Sequence, residues 1–309
     1  MPGLRDMLGG SPLETFLGLD PGGPGADIVV FGADCATPYA SVGPYCAGGA
    51  AAIRAGSLDY AGATDRVNFD LGGPILPPGV RAVDAGDLTV DPADHAGNRA
   101  AIRTMTTDIL VAAGVPVLLG GDDSVPIPML EAFAGHGPVT ILQFDAHIDW
   151  RDEVQGERWG LSSTMRRASE MEHVERIIQI GARGVGSAGM DALQAARDWG
   201  AHLIPAHELD DWGMARLPEL VPQGTNVVVC FDCDALDPAI MPAVIAPTAG
   251  GLSFQQVMAV LRIVAARARI VGFDMVEFMP EADRDGFGAR TAAQMLTTVL
   301  GLIALQRTA

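Results

Sequence analysis

The chain has 309 residues, 38 acidic and 20 basic, for a formal charge of −18, and every basic residue is Arg. The absence of Lys excludes Schiff-base chemistry on Lys, cofactors tethered to Lys, and the phosphate loop whose Lys reaches a nucleotide. So acidic a balance also speaks against nucleic acid and anionic membranes as partners and suits metal ions or cationic substrates. Apolar residues make up 49% and charged residues only 19%, which predicts a large core and a subunit interface.

In chain order, residues 1–19 carry Asp6 and Glu14 and have no basic start before an apolar run, so no signal peptide is expected. Short β-branched apolar runs follow at 28–31, 80–83, 115–119, 139–144, 177–180, 202–204, 227–231 and 270–276. They are continuous rather than alternating, the pattern of parallel strands covered on both faces. Helices are expected at 94–113, at 253–266, where Ser253 and Gln256 can form a capping box, and at 292–305. Alternating strands and helices predict one α/β domain over residues 1–309, built on a mostly parallel sheet of about eight strands. No stretch reads as about 18 apolar residues, so no membrane span is expected and the predicted location is the cytoplasm. Four Cys in this length make no disulfide framework. Cys230 and Cys233 form a C-x-x-C, read as buried strand thiols rather than a redox or zinc pair. The five His outside the motifs below, such as His95 and His207, read as ordinary surface, helix or strand residues.

Ligands of such sheets sit at the carboxyl ends of the strands, and four runs end in acid. The run 115–119 leads into Gly120-Gly121-Asp122-Asp123-Ser124, and 139–144 into Asp145-Ala146-His147-Ile148-Asp149. The run 227–231 leads into Asp232-Cys233-Asp234-Ala235-Leu236-Asp237-Pro238, and 270–276 into Glu277. Strand alternation gives Asp145, His147 and Asp149 one direction, and likewise Asp232 and Asp234. Carboxylates so close repel strongly away from water. Either several are protonated or divalent cations hold them together, and this mixed O and N donor set suits Mn, Ni, Co, Fe or Zn.

These three motifs, in this order and spacing, resemble the signatures of the ureohydrolases: arginases, agmatinases and guanidino-acid hydrolases. Gly181-Ala182-Arg183, Glu277 and Gly250-Gly251 extend the resemblance over most of the chain. It implies a three-layer α/β/α fold, trimers or hexamers, and two divalent ions, Mn²⁺ or alternatively Ni²⁺, serving hydrolysis of a guanidino C–N bond to urea and an amine. Carried onto this chain, it implies that Asp145 and Asp232 reach both ions. His147 and Asp234 then serve one, and Asp123 and Asp149 the other. Asp149 passes a proton to the leaving amine, Glu277 pairs with the cationic guanidino group of a small substrate, and His147 completes the catalytic set.

The sequence departs from that pattern at the first motif, where Asp123 stands in place of a ligating His. The extra negative charge makes bound metals weaker Lewis acids and raises the pKa of bound water. A His of the family's loop after the second motif is also missing: the stretch is Gly160-Leu161-Ser162-Ser163-Thr164-Met165-Arg166-Arg167, whose arginines are candidate partners for a substrate carboxylate. The loop after the first run, 34–46, differs from the agmatinase pattern as well. Three classes therefore stand: a working dinuclear amidinohydrolase, a hydrolase of another C–N bond, and a non-catalytic paralogue paired with an active subunit as a hetero-oligomer.

Overall fold

The computed structural model describes residues 15–186, 188–209 and 213–308; most of the segment examined for a signal peptide, residues 1–14, lies outside these. The strands are β1 (Asp20–Pro21), β2 (Ile28–Ala33), β3 (Val67–Asn68), β4 (Gly73–Pro74), β5 (Ala82–Asp87), β6 (Val115–Gly120), β7 (Val139–Phe144), β8 (Val174–Ile180), β9 (His202–Ile204), β10 (Asn226–Asp232) and β11 (Arg269–Val276). Nine of them form one sheet in the order β1-β5-β2-β6-β11-β10-β7-β8-β9, and β3 pairs with β4 separately. Every pairing in the large sheet is parallel.

All eight expected runs lie in or overlap this sheet, and the ninth strand is β1, two exposed residues too short and polar to show a period. The run at 80–83 is displaced to Ala82–Asp87. Its second half is hidden by polarity: Asp84 is buried and accepts from Arg54 Nε at 2.8 Å, and Asp87 also pairs with Arg54.

The helices are α1 (Gly49–Gly56), α2 (His95–Val111), α3 (Pro126–Glu131), α4 (Thr164–Ala168), α5 (Met190–Trp199), α6 (Met214–Leu220), α7 (Phe254–Arg267) and α8 (Phe287–Thr308). They cover both faces of the sheet, giving three layers. One core packs Val117, Leu142, Val229 and Phe231 against Ile53 of α1, Leu217 of α6, Leu261 of α7 and Leu300 of α8. The other packs Leu118, Ile141, Val228 and Cys230 against Ile102 of α2, Met129 of α3, Met165 of α4 and Ala196 of α5. Alternate residues of one strand thus serve opposite layers.

The expected capping box is present, and a second cap joins it. Asp94 accepts from Gly97 N at 2.8 Å to open α2, and Ser253 with Gln256 forms the capping box of α7. The closing helix is longer than 292–305. It runs 22 residues and is apolar enough by composition to cross a membrane, which corrects the expectation that no such stretch exists. Its apolar window is 83% buried, however, as befits a core helix apolar on all sides.

This topology places the site. β6, β11, β10 and β7 are consecutive in the sheet although their motifs lie far apart in the chain. The glycines of the first motif make room for the junction: a Cβ on Gly121 would sit 1.3 Å from the carbonyl O of Asp34, and one on Gly120 would sit 2.5 Å from Val125 Cγ2.

Candidate metal centre

At the carboxyl ends of those four strands, Asp123, Asp145, Asp149, Asp232, Asp234 and Glu277 converge, none more than 6% exposed. Two groups of ligand atoms lie within 4.8 Å of one another, Asp145 with His147 and Asp234, and Asp123 with Asp145 and Asp149. Asp145 belongs to both. His147 turns Nδ1 inward, 3.0 Å from Asp234 Oδ2 and 3.3 Å from Asp145 Oδ1. Asp232 is buried beside them with Oδ1 accepting from Asp234 N at 2.7 Å, and it belongs to neither group.

The convergence does not come from strand alternation, which is a correction to the reading above. β7 ends at Phe144 and β10 at Asp232, so His147, Asp149 and Asp234 stand on turns. Asp145 Oδ1 accepts from His147 N at 2.6 Å, and Asp149 adopts a left-handed backbone with φ 49°. These turns send His147 and Asp149 into different groups. Glu277 is left-handed too, with φ 62°. Such backbone in a non-glycine residue is held by surrounding structure and concentrates at functional sites.

Crowding sets the electrostatics. Burial, reinforced by Asp149 and Asp145, pushes the Asp123 carboxyl well up. Burial together with Asp145 does the same to Asp149, and burial together with Asp234 and Asp145 to Asp232. The Asp145 and Asp234 hydrogen bonds lift His147 to about 11. Asp234 alone among these acids is brought below its ordinary value, His147 outweighing its burial. Asp123 Oδ2 is buried with no hydrogen-bond partner. An orphaned carboxylate oxygen inside a ring of O and N donors is the chemistry that divalent cations satisfy. The residues present therefore fit such ions: Asp123, Asp145 and Asp149 around one position, Asp145, His147 and Asp234 around the other.

Tyr45 was not legible as a site residue. Its hydroxyl meets both oxygens of Glu277, at 2.8 and 2.6 Å, across 232 positions of sequence. Asp123 N donates to Glu277 Oε1 at 2.8 Å. Burial and Asp122 push Glu277 up to about 8, with Tyr45 pulling the other way. The loop that carries Tyr45 is anchored by Asp34, which accepts from Gly48 N, and by Thr37 N, which donates to Ser124 Oγ at 2.9 Å. The only sequence signal was that this loop departs from the agmatinase pattern.

The remaining candidates have structural partners. Arg183 donates to the carbonyls of Asp234, Ala235, Leu236 and Thr248 and so pins the turn that presents Asp234. Arg167 is buried and bonds Asp152 at 2.5 Å, with Glu170 at 3.2 Å, and Arg166 approaches the same two acids. Both pair with acids outside the two candidate ligand groups. Cys230 and Cys233 are free, buried and in opposite cores, as expected for structural thiols. A cavity of about 710 Å³ opens beside His147, lined by Arg183, Met190, Leu193, His207 and Gln256.

The three-layer α/β/α sheet thus carries one carboxylate–imidazole group and one all-carboxylate group, sharing Asp145, at the carboxyl ends of its strands. The chain belongs to the arginase family, whose sequence model matches residues 26–301. It is 31% identical over 297 residues to proclavaminate amidinohydrolase of Streptomyces clavuligerus, covering 92% of this chain and 90% of that protein. It is 36% identical over 192 residues to N(1)-aminopropylagmatine ureohydrolase of Thermus thermophilus, and there it spans 62% of this chain and 63% of the relative. The solved structure of proclavaminate amidino hydrolase from Streptomyces clavuligerus superposes with a TM-score of 0.79 at 29% identity, over 95% of this chain and 98% of that one.

Proposed function

We propose that this protein hydrolyses a guanidino C–N bond to urea and an amine at a centre of two divalent cations, Mn²⁺ or Ni²⁺. The observation that carries the reading is the Asp145 carboxylate common to both ligand groups. The names of the relatives, an amidinohydrolase and a ureohydrolase, support it. A cation pair held there supplies activated water at neutral pH. Glu277, with Tyr45 and Asp123 N–H fixing its oxygens, accepts N–H bonds from the planar guanidinium and orients it. Asp149 delivers a proton to the departing amine nitrogen. Asp123 stands where the family's first motif has His, and its free Oδ2 keeps it available as a ligand.

Elemental analysis after Mn²⁺ or Ni²⁺ loading, with a urea-release screen over guanidino amines and guanidino acids, tests this. More than one ion per chain and urea from one class of compound are expected. Less than half an ion per chain with no urea would refute the reading and favour the non-catalytic paralogue.

Tyr45→Phe isolates the substrate end. Loss of a hydrogen bond to a charged group is worth about 1.5–3 kcal/mol, so kcat/KM falls by about tenfold or more while metal content stays at the parent level. Tyr45 holds the Glu277 carboxyl down, so without it Glu277 is less ionised near neutrality. The defect then narrows as pH rises, which a kcat/KM profile reads directly.

A further inference from the structure

We propose that Gln143 and Gln179 form a relay, oriented by the indole of Trp150, that positions the Asp145 and Asp149 carboxylates for both cation pockets. The inference rests on the two-cation reading above and concerns residues outside the three motifs.

Gln143 and Gln179 are direct partners in the register of β7 and β8. Each is 1% exposed, and Trp150 is 2% exposed. An amide buried in the middle of an apolar strand costs stability unless all its groups are bonded, and here they are. Trp150 Nε1 donates to Gln179 Oε1 at 2.7 Å. Gln179 Nε2 donates to the carbonyl of Ile148 at 2.9 Å and to Gln143 Oε1. Gln143 Nε2 then donates to Asp145 Oδ2 at 2.7 Å and to Asp149 Oδ2 at 2.8 Å.

The order of these bonds has one consistent direction. An indole N–H can only donate, so it fixes which end of the Gln179 amide faces it. That places the Gln179 NH₂ against Gln143 Oε1, which in turn points the Gln143 NH₂ at the acids. A chain anchored in the apolar layer thus ends in two N–H donors aimed at two carboxylates. One amide nitrogen holds together two groups that repel each other, and it leaves their other lone pairs toward the cation positions. It also holds Asp149 at the end of a left-handed turn. Outer partners of this kind orient metal ligands, and their loss typically weakens metal affinity about 10–100-fold.

The test is Gln143→Leu, close in volume and unable to donate, alongside Trp150→Phe, which keeps a ring and removes the N–H that sets the direction. Mn²⁺ is titrated calorimetrically into metal-stripped parent and variants, and thermal stability is recorded in chelator. Positioning predicts about 10–100-fold weaker Mn²⁺ binding in Gln143→Leu and about tenfold in Trp150→Phe. The chelated variants keep the parent's melting temperature within a few degrees. At saturating Mn²⁺, kcat falls and KM stays within about twofold, because the Glu277 end is untouched. If the parent takes up two ions and both variants match its affinity, the relay is overturned while the two-cation reading stands. If affinity falls only in proportion to a large loss of chelated stability, the role is structural and the proposal fails. A parent that binds no ion removes both the reading and the relay. Should Gln143→Leu not fold, Trp150→Phe carries the same comparison alone.

Discussion

Asp145→Asn is expected to empty both cation positions and to lower urea release on the order of a thousandfold. Asp145 is the residue common to the two ligand groups, so its change removes a donor from each position at once. Its Oδ1 lies 3.3 Å from His147 Nδ1 and accepts from His147 N, while Oδ2 accepts from Gln143. Asn keeps the shape but loses the charge, and its NH₂ must face either the His147 N–H or the Gln143 NH₂, donor against donor. Asp149→Asn is the contrasting case, because Asp149 belongs to one group only. One ion per chain should remain there, bound by Asp145, His147 and Asp234. Metal content by elemental analysis separates the two variants. Equal ion content in Asp145→Asn and the parent would end the shared-carboxylate reading.

The second large effect is on stability without metal. Asp123, Asp149 and Asp232 have carboxyls raised by burial and by neighbouring acids, Asp145 is raised by burial and by Asp234, Asp274 by burial to about 7, and Glu277 by burial and Asp122 to about 8. A raised carboxyl binds its proton more tightly in the folded state, so its stabilising contribution is full below the ordinary carboxylate range. That contribution is lost as pH rises through the folded-state value. His147, raised to about 11, acts in the same direction: its contribution is full below its ordinary 6.5 and falls progressively from there toward about 11, so the first part of that loss lies inside this window. Metal-stripped protein should therefore become less stable between about pH 5 and pH 8. A fall in melting temperature of a few degrees is expected, since each kcal/mol is worth at most about 2 °C in a chain longer than 250 residues. Saturating Mn²⁺ should abolish or reverse the slope, because cations favour the ionised acids. Asp123→His should flatten the metal-free slope by removing one of the repelling carboxyls. Scanning calorimetry at several pH values, with chelator and with Mn²⁺, gives the answer. A metal-free protein equally stable at pH 5.5 and 8 would contradict the crowding described here.

Much of this protein could be read from its residues in order. Continuous β-branched runs marked eight of the nine strands of the large sheet, because a parallel strand covered on both faces is apolar over most of its length. Acid placed directly behind such runs marked the site, because strand ends are where a parallel sheet binds ligands. The order and spacing of three motifs then indicated the family. β1 was missed because its two exposed residues have no period, and half of β5 because Asp84 and Asp87 serve Arg54.

What only the tertiary structure decided is how the acids divide. Alternation along a strand suggested that Asp145, His147 and Asp149 point one way, but the strands stop first and the turns that follow part His147 from Asp149. Asp145 stands in both groups of candidate ligands at the end of β7, which lies between β10 and β8. Tyr45 reaches Glu277 from 232 residues away, and Gln143 meets Gln179 only in the register of two strands. Such contacts depend on distances in space between segments remote in sequence, and no local period or motif encodes them.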